Sequence, residues 1–420
     1  MNTVTLVIGR QLTLFLFAVG LPIGLAGSTN SLTLETAVNL AMKNRPEIVE
    51  ALANWNAAEQ RAIQAGVRPN PRLIVGGESL PVSSATGSGD YLIGLSQKIR
   101  SGKKVRLTKA VAVAERERAA LLYRAAERAV GAKAASAFAT GLYAQESERL
   151  YAAQIRLLET NAMLVKVSVD AGDQVKEAEE IAHALLDHER LDHSEAVAIR
   201  DLAYARLAVA VGVERRAVTN LNGTLARDLG VEDLETGLDS LMRLPEFLAV
   251  DSEADVLKLQ AELERSSRIP SLDLDVLYRR QQGNRRDGFD FEAAISLPLF
   301  DKRKAAAEAF EQDAKAAQAR ARQLRVETLA QINRLRTELS VVVRRARHIR
   351  SEIIPHREQI ERRRRLMHTA GEISRLDLVQ AQLDLLEERR HHLVALREMH
   401  RLWNALRRWT SAAAPSTSEQ

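Results

Sequence analysis

The chain repeats its own punctuation at a spacing of 199 residues. Pro46-Glu47 opens an apolar helical stretch and Pro245-Glu246 opens another. Pro71 maps onto Pro270, each ahead of a strand-like run, and Gly172 maps onto Gly371, each breaking a long helical pattern. Within one residue of that offset, Leu95-Ser96-Gln97-Lys98-Ile99 falls on Ile295-Ser296-Leu297-Pro298-Leu299, and both lead into a basic cluster and an Ala-rich helix. A duplicated unit of helix, strand pair and long helical hairpin follows. Identity between the halves is low, so the repeat lies in element order and in the residues that start and stop elements.

The first repeat spans 31–244. Its pattern predicts a short helix over 31–42 with Thr33 as N-cap, and a second over 47–65 closed by Gly66. Strands follow at 72–80 and 91–99, joined by the Ser/Gly-rich loop 83–89, and then helices at 103–169 and 175–211 on either side of Gly172. The second repeat, 245–411, places a helix at 245–267, strands at 271–281 and 289–299, and helices at 303–369 and 373–409, with Pro355 set to kink the first of these. The Ala/Pro/Ser-rich tail 412–420 has the composition of a disordered terminus.

The lengths constrain shape. A helix of about 67 residues is roughly 100 Å long at 1.5 Å per residue. The descending helices are shorter, and stacking each on the leading helix of its own half restores a comparable length. The expected fold is mainly α with a small β part, built as a rod or tube with two helical hairpins per chain. An elongated coiled coil without a pore fits the helices alone.

The second-half strands add a sharper constraint. Leu272, Leu274, Val276 and Tyr278 alternate with Asp273 and Asp275; Phe289, Phe291, Ala293 and Ile295 alternate with Asp290 and Glu292. Period two puts the carboxylates on one face and the apolar groups on the other. A half-buried strand in a soluble sheet shares this pattern. Beside helices too long for a globular domain, it instead fits an outer-membrane barrel whose acidic face lines water. Four strands cannot close, and open edges are not tolerated in hydrocarbon, so the chain must assemble; three copies would give twelve strands. The first hairpin, diluted by Gly76, Gly77 and Glu78, is assigned through the repeat.

Composition excludes other classes. The net charge of +5 arises from 60 basic and 55 acidic residues, which reads as interleaved solvated faces and not as a nucleic-acid surface. There is no cysteine, which rules out disulfides and thiolate metal sites. Residues 1–26 read as a signal peptide: Arg10, an apolar run over 11–25 broken by Pro22, and cleavage after Ala26. That run is shorter than the ~20 residues of a membrane-spanning helix. There is no phosphate-binding loop, HExxH or nucleophile elbow. His183, His188 and His193 step about 140° apart on a helix and share no face, while His391 and His392 are adjacent and diverge. The chain is therefore expected to be no enzyme, to need no cofactor and to hold no resident metal.

Element order, duplicated hairpins and punctuation together resemble the TolC-like outer-membrane efflux family over the whole mature chain. The resemblance is closest to its CzcC-like heavy-metal branch, through the run from Ala58 to Pro71 (AEQRAIQAGVRPNP), Leu95-Ser96-Gln97 followed by Gly102-Lys103-Lys104, and Leu297-Pro298-Leu299-Phe300-Asp301. The resemblance implies a homotrimer with a 12-strand barrel in outer-membrane lipid, continuous with a periplasmic α-helical barrel. It further implies that this is the exit duct of a tripartite pump with a periplasmic adaptor and an inner-membrane RND-type transporter, exporting heavy-metal cations. A drug-efflux or type I secretion duct of the same fold is the alternative.

In this family the hairpin tips form the gate. The second tip, Gly371 to Asp377, is similar to the family's, and Asp377 falls where some members place a pore-constricting aspartate. With Arg375, Gln380 (where a second aspartate can occur) and His368 (where a tyrosine often stands), it forms the candidate periplasmic gate. Gly172 and Gly371 are the hairpin-tip breaks, and Ala178 stands where an acidic residue is common in the first tip. The alternative for Asp377 is an ordinary helix-start residue favoured by the helix dipole. The run Arg362 to Arg365 reads as a solvated face, or as an adaptor contact.

Overall fold

A computed structural model describes residues 31–78, 89–225, 242–281 and 286–409. The expected signal peptide, the 83–88 part of the first loop and the tail lie outside the described residues. In chain order the elements are α1 (Leu34–Asn44), α2 (Pro46–Ala65), β1 (Arg72–Glu78), β2 (Asp90–Ile99), α3 (Gly102–Asp170) and α4 (Lys176–Val211). After an irregular stretch come α5 (Pro245–Ser266), β3 (Leu272–Gln281), β4 (Asp287–Ile295) and α6 (Lys304–His348). A π turn over Ile349–Ile353, α7 (Ile354–Thr369) and α8 (Arg375–Arg407) complete the chain. Thr33 caps α1 in a reciprocal pair with Thr36, as its position suggests.

α3 is 69 residues long, about 100 Å at the helical rise, and contains no proline. Its buried residues recur at steps of three and four, through Val130, Ala134, Phe138 and Leu142, and again through Leu158, Ala162 and Val165. The stripe faces α4 in the lower hairpin and α2 and α5 above it. The central core joins both repeats: Phe138 and Leu142 from α3, Leu207 and Val211 from α4, Leu335 and Leu339 from α6, and Met399 and Leu402 from α8.

The stacking of short helices is visible at both joints. The Arg45 guanidinium, just before α2, donates to the Val209 carbonyl at the end of α4 (2.5 Å), and Gly212 lies against Asn44. In the second half Arg128 reaches the Arg408 carbonyl at the end of α8 (2.6 Å) and Glu246 at the start of α5 (3.3 Å), while Phe247 packs on Trp409. α4 with α2, and α8 with α5, thus each form a broken strut beside an unbroken or kinked one.

Three boundaries differ from the sequence pattern. The helix expected over 303–369 is interrupted by the π turn at 349–353, six residues before Pro355 at its start, because the proline cannot donate and the backbone widens upstream of it. β4 covers 287–295 and not 289–299: Pro298 removes a ladder donor, and the Leu299 N–H turns back to the Leu297 carbonyl. The strand expected over 72–80 is observed to Glu78, with its last two residues outside the described ones.

The four strands form one antiparallel sheet in the order β1-β2-β3-β4. The two hairpins are joined by the pairing of β2 with β3, from Asp90↔Gln281 to Ile99↔Leu272. The outer edges of β1 and β4 carry no strand among the described residues. No described helix is long and apolar enough to cross a membrane.

Candidate functional site

Alternation gives the sheet two unlike faces. Leu73, Val75, Tyr91, Ile93, Leu95, Leu274, Val276, Phe289, Phe291 and Ile295 share one face and are all exposed, Val75 at 72% and Phe291 at 79%. Tyr278 and Phe289 are register partners on this face and meet edge to face at 5.7 Å. A single sheet with a water-facing apolar surface of this extent is not a stable soluble arrangement.

The opposite face carries charge. Asp273, Asp275, Asp290 and Glu292 lie on it together, as the alternation requires, and Asp275 and Glu292 are direct register partners. Sequence reading missed their counter-ion. Arg279 extends the same alternation and donates to Asp290 on β4 (2.7 Å), Asp90 on β2 (3.1 Å) and Glu78 on β1 (2.7 Å). One guanidinium on β3 thereby ties all four strands. Lys98 lies 4.0 Å from Asp273 at the other end of the face, while one oxygen each of Asp273 and Asp275 is buried without a partner. The face is mixed in charge, with six carboxylates (Glu78, Asp90, Asp273, Asp275, Asp290 and Glu292) against Arg72, Lys98 and Arg279.

Gly94 sits at the β2–β3 seam. A Cβ there would lie 2.1 Å from the Val276 carbonyl oxygen and 2.7 Å from the Leu277 Cα, so the two hairpins approach as closely as they do only because the residue is glycine.

At the far end of the rod the two tips share one backbone design. Gly172 (φ +83°) and Gly371 (φ +77°) are both left-handed. The N–H of Gly172 bonds the Val169 carbonyl and that of Asp173 the Ser168 carbonyl; Gly371 bonds His368 and Glu372 bonds Met367 in the same pattern. These are matched Schellman ends, which need glycine at that position.

The next residues differ. α4 starts at Val175 without a side-chain cap. α8 starts at Ser374, whose hydroxyl accepts from the Asp377 N–H (3.2 Å), while its own N–H and hydroxyl donate to the Asp377 carboxylate (3.2 and 2.6 Å). These bonds, with Arg364 nearby, hold the Asp377 carboxyl below the usual carboxylate range. Arg364 also donates to the Asp377 backbone carbonyl (2.8 Å).

The other candidate gate residues do not converge on Asp377. The Gln380 amide donates to Asp384 (2.8 Å), His368 is half-buried on α7, and Arg375 lines a groove of about 370 Å³ with Asn161, Val165, Val175 and Ile181 of the first hairpin. No hydrogen bond or ion pair joins any two of the four among the described residues. Ala178, at the position usual for an acidic residue, also lines that groove. His183 pairs with Glu179 (3.8 Å) and His193 with Glu148 (3.5 Å), and no group of three or more metal-ligating side chains occurs among the described residues.

The profile of the outer membrane efflux protein family matches residues 37–213 and 239–411, one segment per repeat. The chain belongs to that family. As an efflux protein of the outer membrane it has its helical rod extending into the periplasm. The cobalt-zinc-cadmium resistance protein CzcC of Cupriavidus metallidurans is 24% identical over 377 residues, 87% of this efflux protein and 86% of CzcC. The nickel and cobalt resistance protein CnrC of the same organism is 26% identical over 315 residues, 73% of each chain. The Campylobacter jejuni CmeC outer membrane channel shares the fold with a TM-score of 0.73 at 13% identity, over 91% of this chain and 87% of that one.

Proposed function

We propose that three copies of this efflux protein close a twelve-strand barrel on a helical tube, and that the assembly is the passive exit duct for heavy-metal cations. The observation that carries the reading is the sheet with one lipid-ready face, one charged face and two unpaired edges. Its strands alternate in direction, so β4 of one copy and β1 of the next run antiparallel and continue the sheet. Two copies would give eight strands, a barrel filled by its own side chains; three leave a passage. Asp273, Asp275, Asp290 and Glu292, with Arg279 paired to Asp290, would then line water.

Loading and energy would come from a periplasmic adaptor and an inner-membrane RND-type transporter meeting the tips, and this chain would transform nothing. Asp377, Arg375, Gln380 and His368 would stand at the narrow end, with Asp377 contributing a charge already fixed by its cap. The metal cargo is favoured by the two relatives named for cobalt, zinc, cadmium and nickel resistance. The test is native mass of the detergent-extracted protein together with metal and drug tolerance of a deletion strain. A trimer and lost metal tolerance are expected. A monomer would remove the duct, and unchanged metal tolerance with lost drug tolerance would replace the cargo.

A further inference from the structure

Two helix faces of the rod are left open by the packing within one chain. α3 packs on α4 and on α8, and α8 packs on α7, so the lower rod runs in the order α4, α3, α8, α7. α4 turns Ala182, Leu186, Glu189, Ala196 and Ala203 inwards. On its opposite side lie Ala184, Asp187, Leu191, Ala198, Leu202 and Val209, at steps of three, four and seven. Leu191 is 66% and Val209 67% exposed. α7 turns Arg357, Glu361 and Arg364 towards α8 and leaves His356, Gln359, Arg363 and Leu366 outside at the same spacing. Val341 continues that face on α6 and is exposed, as Leu366 is.

The two faces have opposite charge. Glu177, Glu180 and Asp187 are exposed on α4, and Arg362, Arg363 and Arg365 on α7. Arg363 has no hydrogen-bond or ion-pair partner among the described residues, and Asp187 meets Arg190 of its own helix (3.3 Å). β4, one open edge of the sheet, leads directly into α6, so the basic face lies on a side of the chain where the sheet is open too.

Heights along the rod give a register. Arg390 stacks over Tyr151 (4.9 Å) and Arg397 over Tyr143 (4.6 Å), which ties α8 to α3 at two levels. Counted from their own tips, the arginines stand about four or five residues nearer than the tyrosines, so the second tip is set back by about 6–8 Å. With that offset Ala184 is level with Leu366, Asp187 with Arg363, Leu191 with Gln359 and, far higher, Val209 with Val341, each to within about 2 Å. Rotation about a tube axis preserves height, so these levels hold between neighbouring copies.

We propose that the outer face of α4 in one copy packs antiparallel on the outer face of α6 and α7 in the next. An Asp187–Arg363 ion pair near the tips and a Val209–Val341 apolar contact above it fix the register of this seam. The proposal rests on the three-copy reading and adds the helical pairing that the reading leaves open. It gives the basic run Arg362 to Arg365 an acidic partner in the protein itself.

Because the chain has no cysteine, Asp187→Cys with Arg363→Cys introduces its only thiols, and a disulfide between them needs Cα atoms within about 7 Å. Oxidation of the full-length protein in detergent should join copies into linked pairs and closed sets of three on a non-reducing gel. Asp187→Cys with His356→Cys, two turns out of register on the same face, should stay unlinked. Arg363→Asp should raise the protein concentration for half-assembly about tenfold, since three weak pairs are lost at once, and adding Asp187→Arg should restore it.

A trimeric native mass with no linkage, or with equal linkage of both cysteine pairs, overturns the seam and leaves the duct standing. A charge reversal that the swap does not restore overturns the ion pair as its register mark. A monomeric native mass of the unaltered protein removes the duct and the seam together.

Discussion

Asp377 is an exposed carboxylate whose hydrogen bonds are already committed. The Ser374 hydroxyl and N–H donate to it, and Arg364 lies beside it, so folding favours its ionised form. An unfolded aspartate releases its proton near 3.9. The stabilisation is therefore complete above that value and is lost as pH falls through the depressed folded value. Ser374→Ala should cost about 1 kcal/mol at the start of α8. It should also move the acid loss of amide protection over 375–378 to higher pH; an unshifted profile would mean that the cap does not set the charge. Because Val175 caps nothing, a matching substitution in the first tip should leave its exchange unchanged. The two tips share their glycine geometry and differ in electrostatics, a difference carried by a serine and an aspartate three residues apart.

At the scale of elements, the sheet depends on one missing side chain. Gly94→Ala should weaken the β2–β3 seam by about 1–3 kcal/mol, the usual cost of overpacking, and lower the heat resistance of the assembled protein on gels. The two faces can be compared at adjacent positions. Phe291→Lys puts a charge towards lipid and should cost about 2–4 kcal/mol near the bilayer midplane, whereas Glu292→Lys on the other face should fold and insert. Equal yields of the two in outer-membrane fractions would contradict the orientation of the sheet. Most of these elements were legible in the sequence, because proline, glycine and period-two alternation act locally: α2 starts at Pro46, α5 starts at Pro245, and Gly172 and Gly371 each lie between two helices. The π turn was not, since no residue between Arg345 and Ser351 marks it and only Pro355 hints at it from downstream. Pairing of β2 with β3 was not either, because residues 173 to 191 apart in sequence meet through tertiary packing that no local pattern encodes. Arg279 could have been found by carrying the alternation of Asp273 and Asp275 two steps further.

For the whole molecule, the paired interior of the sheet has a consequence for assembly. Each chain supplies three finished seams, so a closed trimer of twelve strands would contain nine made within chains and three made between them. Before those three form, every newly exported copy carries two open strand edges, the form of β structure most prone to join the wrong neighbour. One of the edges, β1, contains Gly76-Gly77, the feature that made it hard to recognise as a strand. A poor strand is a poor template. Gly76→Val, at a position where a Cβ would meet no atom within 4 Å, should leave the assembled protein as stable as before while sending more unassembled chain into insoluble aggregates. The irregularity of the first hairpin would then be a protection for the interval in which each copy waits, alone and open-edged, for its partners.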